Sequence, residues 1–559
     1  MVASADPAVN QALKSIFAFV KPEIVLLVTA CVLFLVATYR FVFVVRRLPV
    51  DPSDSPSETS YGNAIIAGII SLTGIVAAAL VTSLSPPSGA FNDTLTVLAV
   101  RPDGLSSFIT WIALISGAVL VLMNWSEVGD RYACEYQGCL LIAVAGFSLI
   151  GKVNDLIILF LALELISIPT YIMLYLPRTN KLVLEACIKY FLLSIFSSAF
   201  LLLGFSYFYG VVGTTNLTAL LQAFREEGVV GLPLVTILGL VLIIVGLGFK
   251  ITAVPFHFYA PDVYQGASTG PVAVLAYIPK FAGFLALLRA LGYIAAPQEG
   301  GMPFGTPLTL LLWLMAILTM TLGNVLALYQ DNLRRLMAYS GIAQGGYMLI
   351  GLAAAPALQY ALQGGEIIAG GTEAVIFYMI TYGLMTVGIF TALAYLDSPE
   401  RPVETVDDLA GLQQSHPGIA AAIALFLFSL IGLPLTAGFV GKLLLFSGAM
   451  AVGAEQGIQG NAVLFRTLAI IAVINAAIAA YYYLRIVSVM YFRTAISPIV
   501  RPASSSKTVA LWVCAVLTVG LGVYPAPLLN QMRQVIFPSE RVQQADVVPV
   551  PLENPNRAG

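Results

Sequence analysis

Long apolar stretches, each bounded by charged residues or by Pro and Gly clusters, dominate the pattern of this chain. They are centred near Val36, Ala77, Gly117, Ala145, Leu165, Ala199, Leu242, Phe281, Met315, Gly345, Ile380, Ser429, Ala476 and Leu517. A bilayer core about 30 Å thick takes roughly 20 apolar residues per helical crossing. The pattern therefore predicts an all-α, polytopic integral membrane protein with about 14 transmembrane helices. An even count puts both termini on one side. Extended hydrophilic pieces are confined to residues 48–62, 93–104 and 397–416 and to the Pro-rich tail after Phe537, and none could form a core of its own. The chain divides into an N-terminal three-span region (1–130), spans 4 to 8 (131–300), spans 9 to 13 (301–495), and a last span with its tail (496–559).

Two spans carry an interrupting proline, the seventh at Pro255 and the twelfth at Pro434. Proline removes a backbone donor and clashes with the preceding turn. A helix broken at bilayer depth frees carbonyls that must face protein or water, and paired breaks in the two halves of a transporter mark its pathway. Lys250 precedes its proline and Lys442 follows its own, which suggests an inverted repeat of five-helix units.

Composition narrows the class further. Of 559 residues, 59% are hydrophobic and only 10% charged, against about a quarter charged in soluble domains. Net charge is -2 with no basic run, so nucleic acid is not an expected partner. The five cysteines are odd in number and show no C-x-x-C, which supports neither a zinc nor an iron–sulfur ligand set. The N-terminus lacks the ordered features of a cleaved signal, so the first span is expected to act as its own insertion signal. Lys and Arg are modestly enriched in the loops after odd-numbered spans, which places both termini on the outer, periplasmic side of a bacterial plasma (inner) membrane. No P-loop, dinucleotide fingerprint, H-E-x-x-H or haem-spaced histidine pair occurs. No metal or cofactor is expected on this chain, and any redox step belongs to other chains.

The candidate chemistry lies in charges inside the spans. Lys189, Lys250, Lys280 and Lys442 fall within apolar stretches, and Glu164 sits mid-span in LFLALELISIPTY. A charge at bilayer depth costs about 2.5 to 3.5 kcal/mol on insertion scales. One such lysine is most simply a snorkelling side chain or half of an ion pair. Five groups in five spans weigh differently, because one acid cannot neutralise four bases in a static scheme. Desolvation favours the neutral amine, so lysines of this kind can exchange protons, with Glu164 as a coupled partner. Sodium would prefer a cage of oxygens. Ser167, Thr170, Ser194, Ser197, Ser198, Thr252, Ser340, Gln344 and Tyr382 sit in the same or neighbouring spans, where ordinary interhelical hydrogen bonding is their simplest role. His257, just past Pro255, is with Asp262 a candidate gate at the mouth of the seventh span.

These residues resemble a known family. Glu164, the stretch GFKITAVPFHFYAPDVYQGAS with Lys250, Lys280, DNLRRLMAYSGIAQGGYMLIG (331–351) and GLPLTAGFVGKLLLF with Lys442 look like the antiporter-like membrane subunits of respiratory complex I, NADH:quinone oxidoreductase, which are related to Mrp-type cation/proton antiporter subunits. A lysine at 442 and a short tail without a long lateral helix favour the N type, the counterpart of mitochondrial subunit 2. The resemblance implies a proton-translocating subunit in which Glu164 and Lys250 form a coupling pair, Lys280 is the central relay and Lys442 stands near the exit, with Lys189 as an additional basic residue. It also implies NADH, FMN, iron–sulfur clusters and quinone on partner subunits, and other membrane subunits and lipids as neighbours. Alternatives are a subunit of an Mrp-type antiporter or of a membrane-bound hydrogenase, or a non-conducting structural anchor.

Overall fold

The computed structural model describes residues 17, 19–43, 62–84, 99–101, 103–128, 131–177, 181–292, 305–361, 371–397, 403–452, 459–494 and 505–536. The hydrophilic linker expected at 48–62, apart from Gly62, and the tail after Phe537 lie outside these residues. The first helices are α1 (Lys21–Phe43), α2 (Gly62–Leu84), α3 (Gly104–Met123), α4 (Ala133–Ile150), α5 (Leu156–Tyr175), α6 (Lys181–Val212) and α7 (Leu217–Gly231). They are followed by α8 (Leu234–Lys250), α9 (Ala260–Gly266), α10 (Thr269–Ala290), α11 (Gly305–Leu328), α12 (Leu333–Ala361) and α13 (Thr372–Leu396). The last are α14 (Leu412–Ser415), α15 (Pro417–Ile431), α16 (Ala437–Ala451), α17 (Gln459–Phe492), α18 (Ser505–Val523) and α19 (Ala526–Ile536).

Eleven of these helices, α1 to α6, α10, α11, α13, α17 and α18, are long and apolar enough to cross a membrane. The other three expected crossings are α12 and the two interrupted ones. In α12, Arg334, Arg335, Ser340, Gln344 and several glycines dilute an otherwise apolar helix. The seventh crossing is α8, a break, and α9; the twelfth is α15, a break, and α16. Each break falls in the fourth crossing of its five-helix set. Two helices were not expected from the sequence. The first, α7, lies between the sixth and seventh crossings. The second, α19, buries Met532 and Ile536 while its Asn530, Gln531 and Gln534 face outward.

Both breaks hold one non-glycine residue in the left-handed region, Thr252 at φ 57° and Leu435 at φ 69°. Such backbone costs about 1–3 kcal/mol and persists only where its surroundings fix it. Around the first break, the Ala253 N–H donates to Gly248 O at 2.9 Å and the Val254 N–H to Thr319 Oγ1 at 3.0 Å. In the second, Gly432 closes α15 at φ 95°, and the Gly438 N–H donates to Ser429 Oγ at 3.0 Å. A Cβ at Gly438 would overlap the Ser429 carbonyl, so only glycine lets the half-helices approach this closely.

The enclosed centre is α10, every residue of which is buried, flanked by α13 and α4. The outer helices present apolar stripes to the surroundings. On α5 the exposed residues Ile157, Leu161, Ile168 and Ile172 follow helical spacing, and Glu164 lies on the same stripe. The bridges Val100↔Val153 and Asp155↔Asn216 tie loops at one face of the bundle, and Asn332↔Thr405 does so at the other. Residues 403–416, the described part of the acidic loop after Asp397, pack onto that second face through buried Val406, Leu409 and Leu412.

Candidate functional site

Glu164 and Lys250 meet where α5, α6 and α8 converge. Lys250 is the last residue of α8, and its side chain is 3% exposed. Its Nζ donates to Ser167 Oγ at 2.5 Å and to Ser194 Oγ at 3.1 Å, and lies 3.9 Å from Glu164 Oε1. Ser198 donates to the same carboxylate oxygen at 2.5 Å. The ammonium is thus held by hydroxyls, which can both donate and accept, with the carboxylate just beyond hydrogen-bond reach. Glu164 is 19% exposed, so the acidic end of the pair reaches the outer stripe of α5 while the basic end is sealed. Ser197 serves packing instead, donating to Gly246 O at 2.7 Å across a close α6–α8 crossing.

Lys280 stands on α10, in the most enclosed part of the bundle. Its Nζ lies 5.7 Å from the centroid of the Tyr382 ring on α13. Among the described residues no carboxylate lies within ion-pair distance of it. Gly341 on α12 makes the room: a Cβ there would fall 2.8 Å from the Lys280 Nζ and 2.7 Å from the Tyr382 hydroxyl. A cation over a desolvated ring gains up to about 2 kcal/mol, well short of the several kcal/mol that burying an ammonium costs.

Lys442 uses the second break. Its Nζ, carried on α16, turns back to donate to Leu430 O at 2.6 Å and Ile431 O at 3.1 Å, carbonyls that α15 leaves without helical partners. The same nitrogen lies 4.8 Å from the centroid of the Tyr347 ring. Between Lys280 and Lys442 runs a buried network. The Gln344 Nε2 donates to Leu430 O at 3.3 Å and to the Tyr483 hydroxyl at 3.2 Å; Tyr378 donates to Gln344 Oε1 at 2.5 Å; Ser340 and Tyr483 share a hydrogen bond of 2.5 Å.

Lys189 departs from the expectation of a buried amine. Its side chain is 40% exposed and pairs with Glu185 at 2.6 Å and Asp262 at 2.9 Å, while Asp262 also binds Arg335 at 2.7 Å. It lies two turns into α6, close enough to the bundle's end for carboxylates and solvent to meet its charge. The buried amines of the expected set are therefore Lys250, Lys280 and Lys442. His257 is half-buried in the first break, and among the described residues no hydrogen bond or ion pair joins it to Glu164 or to those three lysines. Sequence reasoning missed Lys152, whose Nζ reaches Glu23 Oε1 at 2.6 Å and Phe19 O at 2.9 Å, with Ser148 bonded to the same carboxylate. It also missed Arg289, which binds Asp103 at 2.9 Å and Gly151 O at 2.5 Å. Both basic residues sit near span ends, where a charge needs no special partner; only the fold brings Glu23 and Asp103 to them.

The transmembrane family described as NADH:quinone oxidoreductase/Mrp antiporter matches residues 153–468, which include all three lysines and Glu164. The NADH-quinone oxidoreductase subunit N of Trichlorobacter lovleyi is 38% identical over 429 residues, covering 76% of this chain and 81% of its own length. A chain of respiratory complex I from Thermus thermophilus, solved with bound aureothin, superposes with a TM-score of 0.68 at 30% identity, covering 91% of this chain and 98% of that one. A chain of the Mrp complex from Dietzia sp., 18% identical, has the same fold with a TM-score of 0.69, covering 94% of this chain and 98% of that one. The chain belongs to the NADH:quinone oxidoreductase/Mrp antiporter membrane family, and within it to the NADH-quinone oxidoreductase N subunits.

Proposed function

We propose that this chain carries protons across the membrane through Glu164, Lys250, Lys280 and Lys442, as one membrane subunit of a quinone-reducing complex whose NADH, FMN, iron–sulfur and quinone sites lie on partner subunits. The observation that carries the reading is the spacing of three sealed amines through the bundle, two of them at helix breaks and the third between them on its most enclosed helix. A fixed ion pair needs no such series. Each amine has a different kind of partner, so a change of field at one can alter how the next holds its proton.

Glu164 is where such a change would enter. It alone of the four reaches the lateral surface, among apolar side chains that a neighbouring membrane subunit would cover. A charge moving on that neighbour acts on Glu164, then on Lys250 at 3.9 Å. The ends of α1 and α19 share one face of the bundle: Glu23 pairs with Lys152 in the turn after α4, and Val535 packs near Gly104 at the start of α3. This supports placing both termini on one side, which the distribution of Lys and Arg assigns to the periplasm of a bacterial inner membrane.

The test is proton pumping by the assembled complex in vesicles, with electron transfer measured in the same preparation. Lys250→Ala and Lys280→Ala are expected to lose most pumping while the complex still assembles and passes electrons. Unchanged pumping in the Lys280→Ala complex would instead make the chain a structural anchor. Sodium movement in place of protons would make it an antiporter subunit.

A further inference from the structure

Among the described residues, the hydrogen-bonded group that joins Ser340 and Tyr483 to the Leu430 carbonyl contains one amide, that of Gln344. Its orientation is fixed by chemistry. Leu430 O can only accept, so the amide nitrogen must face it, and the oxygen then faces Tyr378, which must donate. The other N–H of the amide points at the Tyr483 hydroxyl. Tyr483 and Ser340 form a reversible element, since either can be the donor. Ser340 adjoins Gly341, against which both the Lys280 Nζ and the Tyr382 hydroxyl rest. The Ser340–Tyr483 hydroxyl pair, one residue along α12 from the glycine that seats Lys280, therefore ends on an amide N–H, which neither accepts a proton nor readily yields one. On the far side, Leu430 O also accepts from Lys442.

We propose that Gln344 is a positioning residue that closes proton exchange between Lys280 and Lys442, held in its non-conducting orientation by the Leu430 carbonyl and the Tyr378 hydroxyl. This rests on the proton-relay reading and adds to it a place where the relay is interrupted. Opening requires the amide to swing away from Tyr483, since an amide relays no proton in either orientation, and the freed hydroxyl can then exchange its proton with a basic group brought up to it. That swing is disfavoured while Leu430 O and Tyr378 hold the amide, because it would leave buried polar groups unpaired. Movement of the α15–α16 break, which carries Leu430 and the group that binds Lys442, would release it.

The experiment uses the assembled complex in sealed vesicles. Gln344→Glu puts at the same point a carboxyl group that can take up and release protons; Gln344→Leu removes every polar contact. Under an imposed pH gradient without electron donor, the Gln344→Glu complex is expected to leak protons several-fold faster than wild type, and the Gln344→Leu complex no faster. During turnover, Gln344→Leu is expected to pump several-fold fewer protons per electron, and Gln344→Asn to recover part of the loss. A purely structural amide would not separate leak from pumping in this way. Gln137→Leu, which removes a buried amide bonded to Asn124 O on helices that carry none of the relay lysines, sets the effect of simply losing a buried amide. Wild-type pumping in the Gln344→Leu complex would overturn the proposal, as would equal leak in an assembled Gln344→Glu complex. Either result leaves the relay reading intact as long as Lys280→Ala still abolishes pumping.

Discussion

Gly341→Ala changes no titratable group, yet it should slow the relay. The added methyl would sit 2.8 Å from the Lys280 Nζ and 2.7 Å from the Tyr382 hydroxyl, where ordinary contacts begin at about 3.4 Å. Helix α12 cannot retreat to make room. A Cβ at Gly346 would lie 2.8 Å from Met320 Cα, and one at Gly323 2.7 Å from Ala343 N, so α11 and α12 are already in backbone contact. The side chains must move instead, and the amine leaves the Tyr382 ring. Losing that contact is worth about 0.5–2 kcal/mol, or roughly a 2- to 30-fold change in any step that depends on it. The assay is protons pumped per electron in vesicles of the assembled complex. Gly345→Ala is the matched control, because its Cβ would meet only Ile251 O, at 3.4 Å. The expected result is several-fold fewer protons per electron for Gly341→Ala and a wild-type ratio for Gly345→Ala, with electron transfer retained in both. Equal pumping by the two variants would refute a role for the seating of Lys280.

Glu23→Gln leaves the Lys152 ammonium buried without its carboxylate, which should cost about 3–5 kcal/mol; it is checked by loss of assembled complex on heating, and unchanged heat resistance would count against the pair. Lys189→Gln breaks partly exposed pairs while Asp262 keeps Arg335, so stability should change by under about 1 kcal/mol and pumping should stay near wild type. Gly438→Ala forces α15 and α16 apart at about 1–3 kcal/mol or more of overpacking. It should also lower pumping, because Leu430 and Ile431 then move relative to Lys442.

The span count, both breaks and the three buried lysines were legible because each has a local cause. Apolar runs of membrane length, a proline in an apolar stretch and a lone cation among aliphatic residues are visible one segment at a time. Burial of Lys189 was misjudged for the same reason. The run around it reads as membrane-embedded, but Asp262 and Arg335, 73 positions or more along the chain, arrive only through the fold. Tyr378 and Tyr483 gave no signal either. A tyrosine in an apolar span reads as packing until the partner hydroxyl or amide is placed opposite it. The Glu23–Lys152 pair was illegible because each residue sits near a helix end, where a charge needs no explanation.

The two breaks place the same residue type against opposite kinds of partner. Lys250 ends the first half-helix of its span and reaches serines on α5 and α6, whereas Lys442 rides the second half-helix of its own and turns back onto carbonyls. Serine hydroxyls can rotate to accept from an ammonium or donate to a neutral amine, so the site at Lys250 can serve both states without moving backbone. Carbonyls only accept. A neutral amine at Lys442 keeps two N–H groups for the two carbonyls, but its lone pair faces a site built of acceptors and the charge-assisted hold of α16 on the end of α15 weakens. The second break is thus the one whose two half-helices are tied together through a lysine, while Lys250 ties its own break to neighbouring helices. Gln344 is bonded to the same Leu430 carbonyl, so a weaker hold by Lys442 and the release of the amide are coupled through one acceptor.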